Sequence, residues 1–257
     1  MLLLIYIYIQ LFSYIICTWI NQSIFKTEVF GGIFMHIFIT RHGQISFDEL
    51  RKNNIAFSEN DPPISSLGKE QAKRLAKEMQ RLNFKGKIYA SPFLRTIMTA
   101  DSVSQLLDIP IHICPELREI VLDKKSMQEF KGLKLDELKN LFPKIAEDAE
   151  LPYPWWKTKL EDMEAVKIRV RTLLENLIKK QEDVLLIGHG ASAIAAFYCL
   201  SEMAEKPPFL NLEWYNCSLT HFTYSDGKIE PVTIINNSHM TNSMLTDNDR
   251  RVSDNVE

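Results

Sequence analysis

The chain has 257 residues, of which 46% are hydrophobic and 25% charged, with nine Gly, eleven Pro and four Cys. This composition excludes collagen-like, low-complexity and wholly disordered chains, and the length sits at the upper end of what one hydrophobic core supports. A net charge of −3 leaves no electrostatic footprint for nucleic acid, which is not expected as a partner.

Residues 1–34 contain only two charged side chains, Lys26 and Glu28. As a helix, the first twenty residues would cover about 30 Å, the hydrocarbon thickness of a bilayer. No Lys or Arg precedes this apolar run and no small-residue cleavage site follows it closely, so a secretory signal fits poorly. Two readings remain. Residues 1–20 form a membrane anchor, or translation starts at Met35 and the codons of Gly31 and Gly32 belong to a purine-rich ribosome-binding sequence. The expected organisation is a hydrophobic segment at 1–34, a domain at 35–240 and a polar flexible tail at 241–257. The expected location is cytoplasmic, with membrane contact only if residues 1–20 are translated and inserted.

From Met35 onward, strand-like and helix-like patterns alternate. Short β-rich runs fall at 36–40, 87–90 and 110–114, an almost wholly apolar one at 183–187, and later ones at 219–224 and 231–235. Helical patterns fall at 66–82, 94–107, 135–141, 161–180 and 191–202. The alternation predicts an α/β fold: a three-layer sandwich with a mostly parallel central sheet and helices on both faces. Residues 124–159, which include PYPWW, are the least regular and read as an insertion over one end of the sheet. Cys17, Cys114, Cys199 and Cys217 contain no CxxC pair and read as reduced thiols, the buried kind that behave as small hydrophobes.

The chemistry follows the strands. Arg41-His42-Gly43 comes directly after the first strand, Ser91-Pro92-Phe93-Leu94-Arg95 after the second, and His189-Gly190 after the apolar one. In an open parallel sheet ligands bind beyond the carboxyl ends of the strands, so these turns can meet at one point. Two His, two Arg and two Gly make a compact cationic site suited to a phosphoryl group: Arg offers bidentate donors, helix starts add backbone N–H groups, and glycine permits close approach. Each signal alone is weak, since a lone His at a strand end is commonly structural. The conjunction carries the argument.

In this order, FITRHGQ, DPPISSLGKEQA, YASPFLRTIMTA, ELREI, VLLIGHGAS and NCSLTHF resemble the histidine phosphatase (phosphoglycerate mutase-like) superfamily from Met35 to about Asn236. The resemblance implies a phosphohistidine mechanism with His42 as nucleophile. Arg41, Arg95, His189 and Gly190 would bind phosphate, and Glu119 would be the proton donor by its Leu-x-Glu pattern, with Glu116 a solvated surface charge. Neither a metal nor another cofactor is expected, and the implied partner is a small phosphorylated substrate. Nothing in the sequence specifies an oligomeric state.

Three positions depart from the family pattern. Asp48 stands where Asn often helps to bind phosphate, Ile45 where Thr is frequent, and Asp123 where a Gly precedes a Glu-Gly stretch that is displaced here to EFKGLKLDEL. The Trp-Asn-rich segment and the Phe-Thr-Gly of phosphoglycerate mutases are missing, which favours a phosphatase. The alternatives are a cofactor-dependent mutase and a non-catalytic phosphate-ester binder. Trp155 and Trp156 either line the substrate mouth or pack the insertion onto the core. His36, His112, His221 and His239 receive no role.

Overall fold

A computed structural model describes residues 34–46, 61–123, 128, 130–156, 159–206 and 213–247. The apolar run at 1–20, Cys17 and Asp48 lie outside the described residues. Along the chain run β1 (Met35–Arg41), α1 (Ser66–Arg81), β2 (Lys87–Ala90), α2 (Leu94–Leu107), β3 (Ile111–Ile113), α3 (Leu135–Leu141), α4 (Met163–Lys180), β4 (Val184–Gly188), α5 (Gly190–Met203), β5 (Leu219–Ser225) and β6 (Lys228–Asn236).

The strands form one sheet in the order β3-β2-β4-β1-β5-β6. Strands β1 to β4 pair in parallel, while β5 runs antiparallel to both β1 and β6. Successive side chains of a strand point to opposite faces, and here both faces are covered. Ile37, Ile39, Val184 and Leu186 pack with Val166 and Val170 of α4 and Ala196 of α5. Phe38, Leu185 and Ile187 pack on the other side with Leu75 of α1 and Ile97 of α2. The β4 strand is buried at all five positions, which is why its sequence is continuously apolar.

Local chemistry sets the boundaries. Helix α4 starts at Met163, two residues later than its pattern suggests, because the Asp162 side chain accepts from the Ala165 N–H as an N-cap. Asp226 and Gly227 both have positive φ, 51° and 79°, and close a two-residue hairpin. That turn starts β6 at Lys228 rather than at 231. Pro231 is accommodated because β6 is an edge strand. Of the segment 241–257, read above as a flexible tail, Met244 and Thr246 are bonded to the domain: the Gln71 side-chain amide donates to both, and the Asn216 N–H donates to the Thr246 carbonyl. Among the described residues no helix is long and apolar enough to cross a membrane.

Candidate active site

The three sequence signals meet at the carboxyl ends of the central parallel strands. Arg41 closes β1 opposite Gly188 of β4. The His42 N–H donates to the Gly188 carbonyl at 3.0 Å, and the Ser91 N–H to the Ile187 carbonyl at 3.1 Å. These bonds draw the β1, β2 and β4 turns together.

His42 is buried and held on both sides. Its Nδ1 donates to the Gly43 carbonyl at 2.8 Å, which leaves Nε2 as the lone-pair nitrogen, and the Arg95 Nε donates to that atom at 3.3 Å. The His189 ring stands edge-on to it, 5.2 Å between centroids. Nε2 of His189 meets the Ser91 hydroxyl at 2.9 Å. Its Nδ1 is buried without a hydrogen-bond partner, the Glu119 Oε2 being 3.9 Å away. Arg41 Nη1 donates to the Trp214 carbonyl and to Asp247, while its Nε is likewise buried and unpartnered. Both nitrogens can donate, and each is buried without a partner.

Charge and burial reinforce one another. Burial, and then the positive charges of Arg95 and Arg41, hold the His42 imidazole well below its ordinary pKa of 6.5. The same causes, burial first and Arg95 next, act on His189. Both rings are therefore neutral near pH 7. Burial also lowers Arg95, opposed by the nearby carboxylates of Asp61 and Glu119. Asp61 is pushed up to about 7 by burial, against the pull of Arg95 at 3.4 Å and the Leu94 N–H at 3.1 Å.

Every expected site residue falls within this cluster. Glu119 accepts from the N–H of Ile120 and lines a cavity of about 290 Å³ beside Arg95, whereas Glu116 is exposed and outside the lining. Asp123 lines the same cavity, and Ile45 forms an isolated antiparallel bridge with Ile64. Gly190 opens α5 against Arg41, where an added Cβ would rest 3.8 Å from the guanidinium carbon. Gly43 has a different reason from the expected approach to ligand: a Cβ there would fall 2.7 Å from the Gly68 carbonyl oxygen in the first turn of α1. Trp155 and Trp156 are buried with Phe130, and they also line the cavity.

Sequence reasoning missed the supporting residues. Asp61 anchors Arg95, Ser91 meets His189, Asn216 donates to the His42 carbonyl, Thr99 accepts from the Gly43 N–H, and Asp247 pairs with Arg41. Four of the five lie in or beside the quoted motifs, so position was the available signal. Asp247 had none. Among the described residues no group of three or more His, Cys, Asp and Glu side chains is placed to hold a metal ion.

The family model of the histidine phosphatase superfamily (branch 1) matches residues 37–237. A putative phosphoserine phosphatase 2 of Hydrogenobacter thermophilus is 25% identical over 202 residues, covering 78% of this chain and 94% of that protein. Among solved structures, YhfR of Bacillus stearothermophilus superposes with a TM-score of 0.56 at 22% identity, over 80% of this chain and 98% of that one. A mutant phosphoserine phosphatase of Entamoeba histolytica in complex with phosphoserine gives 0.53 at 20% identity, over 80% of this chain and all of that one.

Proposed function

The chain belongs to the histidine phosphatase superfamily, and from that membership and the geometry of its pocket we propose that it hydrolyses a small phosphomonoester through a phosphohistidine intermediate, without a metal. The observation that supports this most is the buried, neutral His42, whose lone-pair Nε2 faces a cluster of phosphate-binding donors with two orphaned nitrogens.

In the first step Nε2 of His42 attacks phosphorus. The P–N bond forms as the P–O ester bond breaks, and the leaving alkoxide takes a proton from the carboxylic acid of Glu119. Arg41, Arg95 and the N–H group at the start of α5 stabilise charge on the equatorial oxygens. When the Ser91 hydroxyl donates to His189 Nε2, the His189 proton sits on Nδ1, and this neutral ring becomes one more phosphate donor. In the second step the Glu119 carboxylate takes a proton from water, whose oxygen attacks the phosphohistidine. Inorganic phosphate leaves and His42 is restored.

The test is hydrolysis of p-nitrophenyl phosphate in EDTA by the wild-type chain and His42→Ala. Activity that survives EDTA and is lost in His42→Ala is the expected result, and equal rates in the two proteins overturn the mechanism. A cofactor-dependent isomerisation of 3-phosphoglycerate would point to a mutase instead.

A further inference from the structure

The family match ends at residue 237, yet Met244 and Thr246 are tied to the turn that carries His42. Two buried amides make the connection. The Gln71 side chain accepts from the Gln44 N–H at 2.8 Å, and its Nε2 donates to the Met244 carbonyl at 2.6 Å and the Thr246 hydroxyl at 2.9 Å. The Asn216 Nδ2 donates to the His42 carbonyl at 2.8 Å, and its Oδ1 accepts from the Thr246 hydroxyl at 3.0 Å. A backbone N–H only donates and a carbonyl only accepts, so the orientation of each amide is fixed. Each has one end on the His42-Gly43-Gln44 backbone and the other on the segment beyond the match.

The same segment brings a carboxylate to Arg41. Asp247 Oδ1 accepts from Arg41 Nη1 at 2.7 Å, and the Trp214 carbonyl accepts from the same nitrogen at 3.0 Å. Two acceptors on one nitrogen fix the plane of a guanidinium as well as its position. Nη1 is the nitrogen on the Cδ side, so both bonds leave the opposite edge, Nε with Nη2, whose parallel N–H groups form a fork suited to two phosphate oxygens. That edge is the one nearest the start of α5. A Cβ on Gly190 would stand 4.0 Å from Nε and 4.0 Å from Nη2, and Nε has no partner.

Resting on the hydrolase reading, we infer that Asp247 is a positioning residue of the phosphate site: with the Trp214 carbonyl it holds Arg41 so that the Nε–Nη2 edge meets the phosphoryl oxygens beside the start of α5. A carboxylate on that edge would compete with phosphate for the guanidinium. On Nη1 it supports the guanidinium from behind. The segment 244–247 is thereby part of the site, although it lies outside the family match. Its latch through Gln71 and Asn216 sets the His42 turn and Arg41 together.

The full-length chain is assayed with p-nitrophenyl phosphate beside Asp247→Ala, Asp247→Asn, Arg41→Ala and the double variant of Arg41→Ala with Asp247→Ala, with Tm as the control on folding. Asp247→Ala is expected to lose about 10-fold in kcat/KM. Asp247→Asn should lose less, because its amide oxygen still accepts from Nη1. In the Arg41→Ala chain, Asp247→Ala is expected to change nothing further, since Asp247 acts through Arg41. A wild-type or raised kcat/KM in Asp247→Ala overturns the inference and leaves the hydrolase reading standing. So does Asp247→Asn no better than Asp247→Ala, or an equal loss in both backgrounds. Where Arg41→Ala leaves no rate to compare, the order of the two Asp247 variants decides alone. Where Asp247→Ala does not fold, Asp247→Asn goes through the same cycle, and a loss confined to the chain that keeps Arg41 supports the inference while any other result overturns it. If the wild-type chain hydrolyses no ester, the hydrolase reading falls, and calorimetric titration with inorganic phosphate decides. Binding about 10-fold weaker in Asp247→Ala supports the inference. Equal or tighter binding, or none by the wild-type chain, overturns it.

Discussion

The Ser91 hydroxyl lies 2.9 Å from Nε2 of His189, a hydrogen bond that orients a buried neutral imidazole whose other nitrogen is unpartnered and 3.9 Å from the Glu119 carboxylate. Ser91 directly follows β2 and His189 directly follows β4, so the bond also ties two strand ends together. Ser91→Ala removes the bond and leaves the proton of His189 free to move from Nδ1 to Nε2. The expected result is a fall in kcat of about 10–100-fold with the fold retained, a size typical of a misplaced catalytic donor. Steady-state kinetics on a phosphomonoester, with circular dichroism as the control, checks it. A wild-type kcat would remove the tautomer from the argument.

Activity should persist on the acid side. Burial and two guanidinium groups depress His42, so this imidazole, the proposed nucleophile, stays unprotonated below the ordinary histidine range. The acid limb of kcat/KM, corrected for the second ionisation of the substrate, is expected to turn over below pH 6.5. A limb with an apparent pKa at or above 6.5 contradicts the buried, neutral nucleophile.

Buried histidines have a stability consequence of the opposite kind to that of Asp61. Because His42 and His189 are depressed when folded, the unfolded chain binds more protons, and stability is lost as pH falls below about 6.5. Asp61 is raised from 3.8 to about 7, so the folded chain binds more protons, and its contribution to stability declines as pH rises between those values. Asp61→Asn should therefore gain stability relative to wild type as pH rises from 4 to 7, read as a difference in urea midpoints. The same variant unpins Arg95 and should lower kcat/KM by about 10-fold or more.

Gly43→Ala tests why the Arg-His-Gly turn has a glycine. The added methyl would stand 2.7 Å from the Gly68 carbonyl oxygen and 3.1 Å from its Cα, both backbone atoms that cannot swing aside. Destabilisation of about 1–3 kcal/mol in chemical unfolding is expected. Gly190→Ala meets nothing closer than 3.8 Å and should cost far less.

Ending the chain at Met240 removes Met244, Thr246 and Asp247. These bond to Gln71, Asn216 and Arg41, all of them buried. Loss of about 2 kcal/mol, seen as a fall in Tm of about 4–8 °C, is expected by thermal unfolding. An unchanged Tm would show that the segment contributes nothing to the domain.

Much of the molecule was legible in the sequence because it depends on local pattern. The apolar run 183–187 specified a strand covered on both faces, and the spacing of Leu75, Val166 and Val170 specified which helix faces turn inward. His42, Arg95 and His189 could be read as one site because parallel strands place their following turns at the same end of a sheet. The Asp226-Gly227 hairpin was equally local, yet its signal went unread and the last strand was begun three residues late.

Only the tertiary structure decided the rest. Asp61 reaches Arg95 across 34 positions and Asn216 reaches His42 across 174, distances over which no periodicity in the chain carries information. Gly43 is explained by Gly68, a neighbour made by folding rather than by sequence. Phe93 belongs to the Ser91–Arg95 turn and Trp155 to the irregular insertion, and their contact makes one cavity of two segments. The sequence by itself determined the elements and the chemistry at their ends, because both follow from backbone periodicity and residue type. Packing determined the protonation states, the anchors and the shape of the pocket, because these depend on what surrounds each side chain in space.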